Sequence, residues 1–157
     1  MMIAATPPRE QRTSQLYCTF WVGDQHYGIE VENVREVRKS QRTTPVPTST
    51  SVIGGLINLR GDIVTAIDLR RRLDLPPANE DVPSMSVVVS LGDEVISLVV
   101  DAVGDVVDLP LSELQPVPAT VPVAVREVMT GVYRLPQGLV QVLDASQLVP
   151  IDNTEGA

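Results

Sequence analysis

Few side chains in this sequence could carry out covalent chemistry. Among 157 residues, His26 is the sole histidine and Cys18 is the sole cysteine. A metal site needs several ligands acting together, and nucleophilic catalysis needs a nucleophile beside an ordered base. Because neither set is present, we predict no metal site, no cofactor and no catalytic residues. His26 is interpreted as an exposed residue beside a turn, and Cys18 as a small buried hydrophobic residue.

The carboxylates are numerous, but their positions indicate structural roles. Asp24, Asp62 and Asp93 fall in turns between predicted strands, while Asp68 and Asp144 precede short helices that they are expected to cap. The sequence contains neither a GxGxxG nor a GxxxxGK[ST] motif for binding phosphate. We therefore predict that the protein is not an enzyme and that it acts through its surface.

Charge and composition argue against a nucleic-acid partner. Twelve basic and twenty acidic residues give a formal charge of −8, and aromatic residues are only 3% of the chain. Nucleic-acid binders usually present a basic face, often with stacking aromatic side chains. The charge is uneven: ten basic and seven acidic residues precede Leu73, and two basic and thirteen acidic residues lie from Leu73 onward. This difference suggests salt-sensitive alternating assembly, although chance and solubility explain it equally well.

The sequence also predicts where the protein resides. No stretch approaches the ~18 uncharged apolar residues that a spanning helix needs. The first fifteen residues contain prolines and have no basic leader, which is not typical of a signal peptide. We expect a cytoplasmic protein without direct membrane insertion, with loose tails at 1–14 and 152–157.

The chain contains two copies of one pattern. Residues 22–37 align without gaps on residues 91–106 at an offset of 69, and residues 55–73 align on residues 131–149 at an offset of 76. The matched positions include Gly23 with Gly92, Val34 with Val103, and Asp68 with Asp144. Two matching blocks in the same order indicate a gene duplication.

Each copy has the same predicted order of elements: a hairpin, a brief helical turn, a proline-containing connection, a second hairpin and a short helix. The helical turn is suggested by the three-residue spacing of Val31, Val34 and Val37. About five short strands per copy predict a mostly β fold of two tandem five-stranded barrels with short helices. The strands predicted in the first copy include Leu16–Val22, Tyr27–Val31, Leu56–Leu59 and Ile63–Ile67.

We expect one domain, 15–151, with two barrel subdomains at about 15–74 and 85–151. A polar segment bounded by prolines, 75–84, would link them. Because a unit of about 60 residues buries little surface, the barrels should pack on each other as one folding unit with a groove at the seam.

Arg60 is a candidate contact residue. It lies at the tip of a predicted hairpin turn, directly before Gly61, and its counterpart in the second copy is Pro136. Since the hairpin does not require this arginine, its planar donor group is available for recognition.

Four segments together resemble the CheW family of bacterial chemotaxis coupling proteins. They are YGIEVENVREV, GGLINLRGDIVTAIDLRRRL, LVVDAVGDVVDLP and MTGVYRLPQGLVQVLD. The resemblance runs from about Leu16 to Val149, and its most specific parts are the NLRG hairpin at Asn58–Gly61 and the V-x-E-V segment at Val34–Val37. Related barrels occur in the kinase CheA and in CheV, but the length of this chain favours a stand-alone adaptor.

The resemblance implies SH3-like barrels and a non-enzymatic scaffold. Such an adaptor joins the cytoplasmic hairpin tips of chemoreceptors to the regulatory domain of the histidine kinase CheA, in arrays associated with the membrane. Further copies of the adaptor in rings are a third class of partner. The kinase-facing surface would include Ile29 and Val31. The receptor-binding residues implied by the resemblance are Val34, Glu36, Gly55, Asn58, Arg60 and Val103.

Three alternatives remain open from the sequence. A similar adaptor could serve a pilus or another non-flagellar chemosensory system, which only its partners would reveal. A small-molecule-binding barrel would show a deep closed pocket in place of an open seam. An enzyme would require a convergent cluster of polar side chains.

Overall fold

The computed structural model describes residues 12–39, 53–76 and 84–148. The predicted C-terminal tail lies outside these ranges, as do most of the predicted N-terminal tail and linker. The strands are β1 (Ser14–Val22), β2 (Gln25–Glu30), β3 (Val34–Lys39), β4 (Ile53–Leu59), β5 (Asp62–Asp68), β6 (Met85–Leu91), β7 (Glu94–Val100), β8 (Ala102–Pro110), β9 (Met129–Leu135) and β10 (Gly138–Leu143). Short α-helices are α1 (Leu69–Arg72), α2 (Val123–Arg126) and α3 (Ala145–Leu148), and 3-10 turns span Val31–Asn33 and Leu111–Glu113.

The strands form two five-stranded sheets with equivalent topologies. One has the order β8-β1-β2-β10-β9 and is called the terminal barrel, because its strands come from the two ends of the chain. The other has the order β3-β6-β7-β5-β4 and is called the middle barrel. In each barrel one central pair is parallel, β2 with β10 or β7 with β5, and the other pairs are antiparallel. The predicted fold class, mostly β with two five-stranded units, is confirmed.

The strand membership of the barrels differs from the prediction. The expected subdomain bounds, 15–74 and 85–151, assumed that each copy folds on itself. Instead, the first hairpin of each copy joins the third strand and second hairpin of the other copy. The chain crosses from the terminal to the middle barrel at Val31–Asn33, and it returns at Asp101. The copies are therefore interleaved, and the predicted bounds are wrong because pairing occurs between copies.

A shared core lies between the two barrels. On β1, Cys18, Phe20 and Val22 face this core, whereas Tyr17 faces the interior of the terminal barrel. On β6, Val87 and Val89 likewise face the shared core, whereas Val88 belongs to the interior of the middle barrel. This period-two alternation lets each strand contribute to two apolar clusters. Because the largest cluster contains side chains from both barrels, they form one folding unit.

The barrel interiors contain different side chains at matched positions. In the terminal barrel Tyr17 and Tyr133 meet edge to face, and their hydroxyl oxygens are 3.1 Å apart. Gly28 lies against this pair, and an added Cβ there would be 3.5 Å from the Cβ of Tyr17. The middle barrel has the smaller Ser86 where the terminal barrel has Tyr17, so Ser97 fits at the position matched to Gly28.

The three-residue spacing of Val31, Val34 and Val37 has a different cause from the one predicted. The 3-10 turn ends at Asn33, and the next residues belong to strand β3. A bulge between Val34 and Glu36 shifts the register, so that Val34 pairs with Val89 and Val37 pairs with Val87. An extra residue in one strand places positions three apart on the same face. The prediction of a helical turn is therefore wrong beyond Asn33.

The predicted helix caps are confirmed. The Asp68 side chain accepts hydrogen bonds from the backbone N–H groups of Arg70 and Arg71 at the start of α1. Asp144 accepts a hydrogen bond from the N–H of Ser146 at the start of α3. Both carboxylates thus satisfy donors that the first helical turn leaves free.

None of the helices within the described ranges has the length and apolar character that a membrane-spanning helix needs.

Replacing Gly131 by alanine is expected to lower the free energy of unfolding by about 2 kcal/mol or more. An added Cβ would lie 2.6 Å from the carbonyl oxygen of Gln115, which accepts a hydrogen bond from the N–H of Val132. This oxygen can move only if the backbone pairing breaks. The matched control is Gly28→Ala, whose Cβ would make ordinary contacts at 3.4 Å and beyond. Urea denaturation of both variants measures the difference, and equal losses of stability would contradict the prediction.

Candidate protein-binding surfaces

The β4–β5 turn presents Arg60 in an uncommon backbone conformation. Arg60 has φ 56° and Gly61 has φ 93°, and Leu59 pairs with Asp62 across this two-residue connection. Two positive φ values in a two-residue hairpin indicate a type I′ turn, in which Asn, Asp or Gly is usual. The side chain of Asn58 stabilises the turn by accepting a hydrogen bond of 2.9 Å from the N–H of Gly61. An arginine here costs about 1 kcal/mol of backbone strain, which suggests a functional reason for its presence.

Glu36 orients the Arg60 side chain. Arg60 Nη2 donates to Glu36 Oε1 over 3.1 Å, and Arg38 Nη1 lies 3.9 Å from the same oxygen. The Arg60 side chain is 72% exposed, whereas that of Glu36 is 20% exposed. Because exposed ion pairs typically contribute less than about 1 kcal/mol to stability, this pair does more to orient Arg60 than to stabilise the fold.

Arg60 borders an open cleft of about 490 Å³ at one end of the middle barrel. Its apolar floor consists of Leu59, Val64 and Val95, which belong to the barrel interior or pack against it. Ile63 also lines the cleft and is 66% exposed. An open cleft with an exposed apolar residue is typical of a surface that binds another protein. Small-molecule sites are usually more enclosed. The charged residues at the cleft are Arg35, Glu36, Arg60, Asp62, Asp93 and Glu94.

Ile63 is not among the binding residues predicted from the sequence. The alternating pattern of β5 indicated only that Ile63 belongs to a strand, and it gave no sign of a binding role. A signal was nevertheless available, because its counterpart Leu139 also follows a hairpin turn directly, and it too is exposed in the structure.

The matched end of the terminal barrel carries an aromatic stack. The rings of Trp21 and His26, paired across β1 and β2, are 4.1 Å apart and nearly parallel. His26 is matched to Val95 of the open cleft. Gly104 lies close by, since an added Cβ would be 2.6 Å from Thr19 Oγ1 and 3.6 Å from His26 Nε2. His26 lies on β2 beside the turn, as predicted, but it is half-buried, so the prediction that it is exposed is wrong.

We expect the His26 stack to make stability fall in mildly acidic solution. Burial disfavours the charged imidazolium and lowers the pKa of His26 from its ordinary value of 6.5. The folded state consequently binds fewer protons than the unfolded chain as the pH falls through about 6.5. The contribution of His26 to the free energy of unfolding is therefore largest above this pH and declines below it.

The variant His26→Val, which installs the residue found at the matched position, tests this dependence. Urea denaturation at pH 7, 6 and 5 should show a smaller decline for the variant than for the wild type. Identical declines in the two proteins would show that His26 does not contribute to the pH dependence.

The predicted receptor-binding residues fall in different parts of the structure. Glu36 and Arg60 meet at the open cleft, with Asn58 in the adjacent turn. Val34 and Val103 instead pack against the shared core, each near the start of a strand that follows a crossover between barrels. Gly55 is buried and pairs with Ala66 on β5, away from the turn.

One predicted kinase-contact residue is wrong. The side chain of Ile29 is fully buried in the shared core, so it cannot contact a partner while the protein is folded. Val31 lies in the crossover turn and is half-buried.

The side chains of Cys18 and Tyr27, which could in principle react, are buried in the core. Burial raises the pKa of the Cys18 thiol, and only 4% of this residue is exposed, as predicted. A buried protonated thiol is a poor nucleophile. Burial also raises the pKa of Tyr27 to about 12. Within the three described ranges, no group of three or more His, Cys, Asp or Glu side chains is placed to hold a metal ion.

Because the strands interleave, the charge of each barrel differs from the charge of each half of the sequence. Over the described residues, the terminal barrel and its connections carry three basic and nine acidic side chains, while the middle barrel carries seven basic and six acidic ones. The contrast between a positive and a strongly negative half of the sequence therefore does not describe the two barrels. By these counts the terminal barrel has a net charge of −6 and the middle barrel of +1, so the contrast behind the hypothesis of alternating assembly is smaller than predicted and lies between differently composed barrels.

Comparisons with known proteins agree with this architecture. A family model described as "CheW-like domain" matches residues 16–152. A chemotaxis protein CheW from Klebsiella aerogenes is 30% identical over 139 residues, covering 88% of this chain and 84% of the relative. A chemotaxis protein CheW from Bacillus subtilis is 28% identical over 148 residues, covering 94% of this chain and 95% of the relative.

A solved structure shares the arrangement of strands. The crystal structure of the scaffolding protein TtCheW from Thermoanaerobacter tengcongensis superposes with a TM-score of 0.79 at 25% sequence identity. The match covers 90% of this chain and 97% of the other. Together with the family model, which spans nearly the whole described structure, these matches show that the chain belongs to the CheW family.

Proposed function

We propose that this protein is a chemotaxis adaptor that couples the cytoplasmic hairpin tips of chemoreceptors to the regulatory domain of the histidine kinase CheA. Membership of the CheW family supports an adaptor role in chemotaxis. The observation that carries the finer proposal is the β4–β5 turn, where a strained and exposed Arg60 is oriented by Glu36 beside an open cleft.

The receptor is proposed to lie against two adjoining parts of the surface. Val34 and Val103 occupy matched places at the rim of the shared core, where they can contact the apolar stripe of a receptor helix. Glu36 and Arg60 would contact polar receptor side chains and fix the register of the bound helices more than their affinity. Exposed Ile63 extends the apolar surface next to Arg60.

The kinase is proposed to bind a second surface that includes Val31. A separate surface is required because an adaptor must hold both partners at once. Ile29 has no part in this surface, although it supports the strand that precedes the crossover turn.

Capture on immobilised partners tests the proposal. One resin carries a receptor cytoplasmic hairpin fragment, and another carries the CheA regulatory domain. We expect the chain to be retained on both. The variant Val103→Arg should lose retention on the receptor resin and keep retention on the kinase resin, because it places a charge at the proposed apolar contact with the receptor helix.

Retention on neither resin would contradict the proposed function. Loss of both interactions in Val103→Arg would argue that the variant disturbs the fold, so its unfolding transition is compared with that of the wild type. A second variant, Ala102→Arg, is the matched control because Ala102 is exposed on the same strand.

A further inference from the structure

Arg70 and Asp101 form a contact that ties three parts of the molecule together. Asp101 Oδ2 accepts a hydrogen bond of 2.5 Å from Arg70 Nη2 and another of 2.7 Å from the N–H of Gly23. Arg70 belongs to α1, which follows the last residues of the middle barrel's β5, whereas Gly23 is in the β1–β2 turn of the terminal barrel. Arg70 Nη1 also donates to the carbonyl oxygen of Pro76.

Asp101 lies where the chain passes from one barrel to the other, so its contacts help to fix how the barrels are placed. Asp101 is the residue at which the chain leaves β7 of the middle barrel and enters β8 of the terminal barrel. Its N–H donates to the carbonyl oxygen of Trp21, so its backbone and side chain both bind the chain where β1 ends and the β1–β2 turn begins. Val103 follows two residues later and pairs with Phe20. The location of Val103 relative to the middle barrel therefore depends on how Asp101 is held.

At the matched crossover, the described residues form no equivalent link between barrels. Glu32 corresponds to Asp101, but its carboxylate contacts Arg12 and Gln15 at the start of β1. The position matched to Arg70 is Ser146, whose hydroxyl binds Asp144. The Glu32 side chain is also 46% exposed, against 21% for Asp101. Because only one of the two matched crossovers has this ion pair, the repeated fold does not require it.

We propose that Arg70 and Asp101 are positioning residues for the proposed receptor-binding surface: they fix the start of β8, and with it Val103, against the middle barrel. This inference rests on the proposed function for its binding consequence, and its structural part is independent of that function. The pair acts through Val103 and does not itself contact the receptor. Partial burial keeps the ion pair effective, since few water molecules screen it.

The variant Asp101→Asn removes the charge and keeps the shape of the side chain. We expect its affinity for a receptor hairpin fragment to fall at least about fivefold, while its affinity for the CheA regulatory domain changes less than about twofold. Backbone amide exchange at 102–106 should become faster in the unbound variant. Asp101→Glu, which retains the carboxylate, should recover most of the receptor affinity, and Glu32→Gln at the matched crossover should leave both affinities unchanged.

Two results would overturn the inference. One is an unchanged receptor affinity together with unchanged amide exchange at 102–106 in Asp101→Asn. The other is a parallel loss of receptor and kinase affinity that follows a general loss of stability. If the wild-type chain binds no receptor fragment, the proposed function fails instead, and amide exchange at 102–106 still decides whether the pair fixes β8.

Discussion

Replacing Phe20 by alanine is expected to lower the free energy of unfolding by about 3–5 kcal/mol. The Phe20 side chain is fully buried in the shared core and stacks on Tyr27 at a ring distance of 6.1 Å. Because the same cluster contains Val87 and Leu98 of the middle barrel, the cavity would destabilise both barrels and not only the terminal one. This is the largest effect on stability that we predict.

Urea denaturation followed by two signals measures this effect. Trp21, the sole tryptophan, reports on the terminal barrel by fluorescence, while circular dichroism reports on all strands. The two transitions should coincide in the wild type and in Phe20→Ala, as expected for one cooperative unit. Ile57→Ala, in the separate interior of the middle barrel, is the control and should also give coincident transitions. An earlier fluorescence transition would show that the barrels unfold separately.

The second large effect concerns binding. Arg60→Ala should reduce the affinity for a receptor hairpin fragment by about tenfold, or about 1.4 kcal/mol, since it removes an exposed donor group oriented by Glu36. Its free energy of unfolding should change by less than about 1 kcal/mol, because the lost ion pair is on the surface. Titration calorimetry measures the affinity, and urea denaturation measures the stability.

Arg71→Ala is the matched control for Arg60→Ala. Arg71 is also an exposed arginine, with an ion pair of 3.3 Å to Asp68, but it lies on α1 and outside the proposed receptor surface. We expect its receptor affinity to match that of the wild type. If Arg60→Ala unfolds the protein, Arg60 is a structural residue and its proposed contact role is wrong.

Local features of the fold were predictable from the sequence because they depend on nearby residues. Alternating apolar residues predicted the β1 hairpin, and the predicted strand Ile63–Ile67 falls one residue short of β5 at each end. The cap at Asp68 followed from a single side chain before a short helix. These features need only the preferences of adjacent residues, so they are visible without any knowledge of tertiary structure.

The interleaving of the two copies was not predictable by the same reasoning. Matched repeats have nearly the same apolar pattern, so a hairpin can pair with its own copy or with the other copy. The choice depends on the crossovers at Val31–Asn33 and Asp101, which carry no distinctive sequence signal. The bulge between Val34 and Glu36 was not predictable for a related reason, since the three-residue spacing that it produces resembles that of a helix.

The candidate site was predictable only in part. The exposure of Arg60 followed from its turn position, but its ion pair with Glu36 joins residues 24 positions apart, from β3 and the β4–β5 turn. Because β3 and β4 lie at opposite ends of the strand order, this contact depends on the folded barrel. Ile29 was assigned to the kinase-facing surface only through the family resemblance, because nothing in the residues around it distinguishes a surface position from a buried one. In the structure β2 is central in its sheet, between β1 and β10, so Ile29 faces the shared core.

Formation of a ternary complex is the most direct measurement of whether this chain bridges two partners. The chain is mixed with a receptor cytoplasmic hairpin fragment and the CheA regulatory domain, and the products are separated by size exclusion with light scattering. We predict a single species whose mass includes all three proteins. Two separate binary complexes, with each partner displacing the other, would contradict the bridging role.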